Sequence, residues 1–86
     1  MHERALIADV VRAVEEAVHA AGATRVTAVA VRLGALSHFT PEHFRQHFDD
    51  AARGTIAEGA EVHASVEPAL DDPRARDVVL ERLEVE

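Results

Sequence analysis

The nine residues Arg25-Val26-Thr27-Ala28-Val29-Ala30-Val31-Arg32-Leu33 decide the fold. Val26, Ala28 and Ala30 alternate with Thr27, Val29, Val31 and Leu33, a period of two rich in β-branched side chains, which is the pattern of a β-strand. Both sets are largely apolar, so the strand is expected in the middle of its sheet. Upstream, Leu6, Ile7, Val10, Val11, Val14, Ala17, Val18 and Ala21 recur at three- and four-residue steps between Arg12, Glu15, Glu16 and His19. That spacing predicts one amphipathic helix from Arg4 to Ala21, with Gly22 placed for a left-handed C-cap.

Downstream, Gly34-Ala35-Leu36-Ser37-His38-Phe39 reads as a loop running into Thr40-Pro41-Glu42. A hydroxyl N-cap, proline at the first helical position and an early carboxylate announce a second helix, expected to reach about Arg53 with Gly54 closing it. Phe44, Phe48, Ala51 and Ala52 form its apolar stripe. After Glu58-Gly59, Val62, Ala64 and Val66 alternate with Glu61, His63, Ser65 and Glu67, which predicts a strand with one wet face. Pro68 to Pro73 has the length of a turn or hairpin. In the last segment, Asp77 to Glu86, Val78 and Leu80 are out of phase with Leu83 and Val85; a β-bulge near Glu81-Arg82 would return both pairs to one face. The order helix-strand-helix-strand-strand predicts an α+β two-layer sandwich, a three-stranded sheet of antiparallel type with two helices on one face.

Eighty-six residues make one small domain, which buries only about 60% of the surface its unfolded chain exposes. No cysteine is present, so neither a disulfide nor a thiolate zinc site can reinforce that core. Nine arginines, no lysine and sixteen carboxylates give a net charge of −7, which repels phosphate backbones, and three phenylalanines offer no platform for stacking bases. Nucleic acid is therefore not an expected partner. Neither a membrane span nor a secretory leader can be read in the sequence, and a cytoplasmic location is expected.

Residues that could carry chemistry are few. Ser37 and Ser65 have no histidine and carboxylate arranged around them as a nucleophile requires, and Glu15-Glu16, Asp49-Asp50 and Asp71-Asp72 read as solvated faces and turns. The chain is accordingly expected not to be an enzyme. Six histidines invite a metal. His43 and His47 stand at i and i+4, the spacing that lets two imidazoles share an ion, although a pair of half-exposed surface histidines is the simpler reading. His19 and His63 read as solvated, and His38 lies in a loop before the second helix that could approach the N-terminus.

The strongest candidate is Met1-His2-Glu3. The Met1 amine, the His2 amide and the His2 imidazole lie within one chelate reach, and fused small rings of this kind suit square-planar nickel(II) or copper(II). A residue as bulky as His2 disfavours removal of the initiator methionine, so the amine belongs to Met1.

Met1-His2-Glu3 ahead of a helix, Gly34-Ala35-Leu36-Ser37, Pro41-Glu42 with Phe44 and Phe48, Gly54-Thr55 with Ala57-Glu58-Gly59-Ala60, and a closing Leu83-Glu84-Val85-Glu86 form an ordered set. Together they are similar to the HypA/HybF family of nickel metallochaperones for hydrogenase maturation. The resemblance implies transient nickel(II) binding by Met1, His2 and Glu3, and partners in a HypB-like GTPase and the large subunit of a nickel–iron hydrogenase, with urease a client in some members. One departure is large: the family usually inserts a domain with two Cys-x-x-Cys pairs between the last two strands, whereas here that interval shrinks to about Pro68 to Arg76. No structural zinc is expected. The competing expectation is a metal-independent protein-interaction module that keeps the fold, using its first helix or a sheet edge, with strand addition as a route to a homodimer.

Overall fold

A computed structural model describes residues 2–86, and their side chains from residue 4 onward. Helix α1 runs His2–Ala20, strand β1 Val26–Leu33, helix α2 Pro41–Ala52, strand β2 Glu61–Val66 and strand β3 Val78–Val85. The expected order and the α+β layering hold, with β1 in the centre of a sheet ordered β2-β1-β3.

The expectation of an antiparallel sheet is corrected. β1 pairs in parallel with β2 and antiparallel with β3. The reason is the connection: α2 lies between β1 and β2 in the chain, and such a crossover returns the chain to run alongside the strand it left. Residues 67–77 are likewise not a hairpin, because β2 and β3 lie on opposite edges of the sheet and this segment must pass over the end of β1.

Helix α1 is rich in valine, a mediocre helix former, and depends on tertiary burial of its apolar face. Ile7, Val10, Val11, Val14 and Val18 are buried against the sheet and α2. It ends as its glycine predicts: Ala23 N–H donates to Val18 O at 3.1 Å and Gly22 N–H to His19 O at 3.1 Å, with Gly22 at φ 67°. This paired closure satisfies two carbonyls that the helix cannot use itself. In α2 the Thr40 hydroxyl accepts from His43 N–H at 3.1 Å, Pro41 occupies the first turn, and Phe44, Phe48 and Ala52 are buried. Ala51 is exposed, one step off the stripe assigned to it. Gly54 does not cap α2 as Gly22 caps α1: Arg53 has already left the helix at φ −61°, ψ 127°, Gly54 follows at φ 83°, and Thr55 N–H reaches Ala52 O at 2.9 Å. Those features describe a type II turn, whose third position needs a positive φ.

Val29, Val31 and Leu33 face the helices together with Val62 and Ala64 of β2 and Val78, Leu80 and Leu83 of β3. The expected bulge is present, since Val31 pairs with Leu80 and Ala30 with Arg82, leaving Glu81 unpaired. A second irregularity at Thr27 lies on the opposite strand, where the Thr27 hydroxyl donates to Glu84 O at 3.1 Å.

Gly34 stands at the end of β1, where the 67–77 segment crosses. A Cβ built on it would meet Ala75 O at 2.1 Å, while Gly34 N–H donates to Asp77 O at 2.9 Å and Leu36 N–H to Ala75 O at 2.7 Å. Two backbones approach here too closely for a side chain between them. Gly34→Ala is expected to cost about 3 kcal/mol or more, combining overpacking with strained hydrogen bonds. Gly54→Ala, with open space around it, should cost only the left-handed penalty of about 1–2 kcal/mol. Urea unfolding of both variants at unchanged slope checks the order, which fails if Gly54→Ala is the more damaging.

Candidate metal-binding site

The end of β1 and the start of α1 meet at an open cleft of about 500 Å³ lined by Ala5, Leu6, Leu36, Ser37, His38 and Arg76. Each wall has a local cause. Leu33, fully buried, fixes the end of β1, and the chain then turns with Ser37 N–H donating to Gly34 O at 3.0 Å. Ser37 is buried and its hydroxyl accepts from Phe39 N–H at 3.4 Å. Phe39 is buried too, set edge-on to Phe44 with centroids 5.6 Å apart. Between these two anchors His38 is held at φ 68° with its side chain exposed. A left-handed non-glycine residue costs on the order of 1 kcal/mol and persists only where its neighbours impose it. Arg76 comes from the crossing segment that Gly34 admits, which Arg74 stiffens by donating from Nε to Asp77 at 2.6 Å and from its backbone N–H to Asp72 at 2.7 Å.

Of the expected ligands Met1, His2 and Glu3, the structure describes only the backbone of His2 and Glu3, at this end of the molecule. Met1, and the side chains of His2 and Glu3, lie outside the described residues; the backbone of His2 and Glu3 belongs to the first turn of α1. The first four N–H groups of a helix have no acceptor within it, so amides there can be given up without breaking the helical ladder. His38 lines the same cleft as Ala5 and Leu6 in α1; its expected approach to the N-terminus itself falls on Met1, outside the described residues.

The other histidines divide. His43 and His47 come together, with Nε2 atoms 2.8 Å apart and ring centroids 4.5 Å apart. His63 is exposed and meets Glu61 at 2.6 Å on the open face of the sheet, and His19 is exposed in the last turn of α1. Among the described residues, no three histidine or carboxylate side chains converge as a metal cage would need. No helix of the described residues is long and apolar enough to cross a membrane.

Comparison with known proteins fits this geometry. The family model for hydrogenase/urease nickel incorporation, the HypA metallochaperones, matches residues 1–71. The chain belongs to the HypA family. The hydrogenase maturation factor HypA of Methylocella silvestris is 46% identical over 66 residues, covering 77% of this chain and 58% of that protein. HybF of Salmonella typhimurium is 38% identical over 69 residues, covering 80% of this chain and 61% of its own length. The chain thus spans a little over half the length of these relatives, which are named as maturation factors. The solution structure of the nickel metallochaperone HypA from Helicobacter pylori superposes with a TM-score of 0.80 over 96% of each chain at 16% identity, a likeness of fold.

Sequence reasoning missed Arg76 and the backbone state of His38. The first depends on the crossing of the 67–77 segment, which leaves no local pattern; the second has only a faint signal, histidine being among the residues that tolerate positive φ. His38→Gly is expected to hold or raise stability and His38→Val to lower it by about 1–2 kcal/mol, because a β-branched side chain fits φ 68° poorly. Thermal denaturation of the two variants measures this, and equal midpoints would show that the loop releases the strain elsewhere.

Proposed function

We propose that this protein is a nickel(II)-binding accessory protein that delivers the ion to a nickel enzyme, in the first place a nickel–iron hydrogenase. The observation that carries this reading is a family match beginning at residue 1, on the Met1-His2-Glu3 sequence that heads α1. Nickel is cargo here. Met1 contributes its terminal amine, His2 its amide and imidazole, and Glu3 its amide or carboxylate, with a further position left to another side chain or to a partner.

Two electrostatic effects oppose each other at this end of α1. The helix dipole disfavours a cation at its N-terminus by about 0.3–1 kcal/mol. Each amide deprotonated on binding brings a full negative charge into direct contact with the ion, which outweighs a half charge spread over several peptide groups. Net binding therefore depends on losing protons, and a site of that kind holds its ion firmly at higher pH and lets it go in acid. Exchangeable binding is what delivery requires.

In this reading the chain is a single nickel-binding α+β domain in which a short turn at about 68–76 stands in place of the zinc domain, holds no structural zinc, and catalyses no reaction. Its partners are a HypB-like GTPase and the hydrogenase large subunit, in the cytoplasm. The sequence without cysteine supports the absence of zinc, because sites of that type need thiolates. A second reading, a protein-interaction module that has lost nickel delivery, draws on the strand order, which leaves β2 and β3 each with one unpaired edge within the described sheet, open to a partner strand or a second copy.

Untagged protein titrated with nickel(II) in a calorimeter should bind, and His2→Ala or a peptide extension ahead of Met1 should lower affinity at least tenfold. Affinity should fall by about tenfold per pH unit for each proton released on binding as pH drops from about 8 to about 6. Equal nickel affinity in wild type and His2→Ala would sink the metal reading, and retained capture of a partner GTPase by that variant would favour the interaction module.

A further inference from the structure

We propose that the free edge of β2 pairs with the same edge of a second copy of this chain, antiparallel and with His63 on the two-fold axis. The strand order leaves open the edge, the occupant and the register, and β2 itself decides all three. The pairing holds with or without nickel.

Peptide groups along a strand point alternately to its two sides. Glu67 N–H donates to Leu33 O at 2.9 Å, so Glu61, His63 and Ser65 turn their peptide groups to β1 while Val62, Ala64 and Val66 turn theirs outward. Among the described residues, nothing takes up those outward N–H and C=O groups. β2 holds an unbroken register with β1 from Glu61 to Val66 and contains no proline. The other edge strand is protected: the bulge at Glu81 interrupts β3, and Glu81, Arg82 and Glu84 set charge along it. An incoming strand therefore finds its template at β2.

Symmetry then narrows the register. Residues directly opposite each other share one face of the sheet, so a two-fold axis must pass through a residue, and either Ala64 or His63 on the axis uses most of β2. With Ala64 there, Glu61 faces Glu67 of the second copy, which opposes like charges. With His63 there, Glu61 faces Ser65, Val62 faces Ala64, and Val66 faces Ala60 of the second copy. Val66, 47% exposed in the single chain, thereby gains an apolar neighbour. Val62 and Ala64 exchange N–H···O=C bonds across the axis, and the two histidines form a non-hydrogen-bonded pair with Cα atoms about 4.5 Å apart.

Charge complements this register. Arg45 of α2 lines a hollow of about 340 Å³ with His63, Ser65 and Glu81. Glu81 is paired with Arg32 at 3.8 Å, whereas Arg45 has no ion-pair partner among the described residues. Glu61 of the second copy, set opposite Ser65, brings a carboxylate to this arginine, and the axis repeats the pairing. One strand pair is a small interface and two chains of charge −7 repel, so the dimer is reversible and depends on concentration.

The chain contains no cysteine, so an introduced thiol reports alone. The test oxidises single-cysteine variants of the full chain with diamide in the presence of a chelator. His63→Cys places two thiols within disulfide reach across the axis and should form covalent dimers at least about tenfold faster than Glu61→Cys or Ser65→Cys. A mixture of the latter two should crosslink as fast as His63→Cys. Sedimentation of the wild type should show an average mass that rises with concentration. Ala64→Pro, which removes an outward N–H and no bond to β1, should abolish the rise while circular dichroism shows the fold kept; if it unfolds, the cysteine pairs decide. The proposal falls if the wild type stays a single chain at every concentration, or if His63→Cys crosslinks no faster than Glu61→Cys. It falls equally if a mixture of His63→Cys with Ser65→Cys is the fast pair, which puts Ala64 on the axis, or if Arg82→Cys is, which moves the contact to β3. The chelator keeps metal out, so none of these results bears on the nickel reading, whose failure is nickel binding indifferent to His2→Ala.

Discussion

The chain has no room for a side chain at position 34, and most of the cleft end of the molecule follows from that. β1 is paired on both edges, so the segment joining β2 to β3 must cross over its end, and it does so with Ala75 O where a Cβ on Gly34 would be. This one close approach makes three things at once. It returns the chain to start β3 antiparallel to β1, it brings Arg76 to the cleft beside α1, and through the Leu36 hydrogen bond to Ala75 it fixes the turn that presents His38. The glycine is required by distance between backbones, not by a left-handed φ, which distinguishes it from Gly22, Gly54 and Gly59.

The elements were legible in the sequence because each carries a local signal. Two apolar faces place β1 in the centre, a parity slip locates the bulge at Glu81, and Thr40-Pro41 starts α2. The direction of β2 was not legible from its own residues, since the alternation of Val62 and Ala64 with Glu61 and His63 suits either orientation. Only the helix in the connection decides it. The candidate ligands were legible as a tripeptide pattern and a family resemblance, but the cleft wall built by Arg76 was not, because residues far apart in sequence meet there through a crossing that no periodicity records.

The His43–His47 contact shows the same division. Spacing placed the two rings on one flank of a helix, yet spacing alone is equally satisfied by two imidazoles pointing apart into solvent. Packing turns that option into a contact: Phe39 supports one ring, and the buried phenylalanines hold the helix so that the other ring meets it. The protein's net charge of −7 adds a weak, long-range attraction for cations, which is screened by salt over about 10 Å and raises their local concentration without selecting among them.

The last residues of the chain are sewn to the far end of α1. Thr24 N–H donates to Glu86 O at 3.2 Å and Glu86 N–H to Arg25 O at 3.0 Å, just past the closure at Gly22. Helix α1 has 19 residues, so its two ends stand about 28 Å apart. A fluorophore, surface linker or fused protein attached after Glu86 therefore leaves from the opposite pole to the cleft, and the molecule can be held by one end while the cleft at the other stays open.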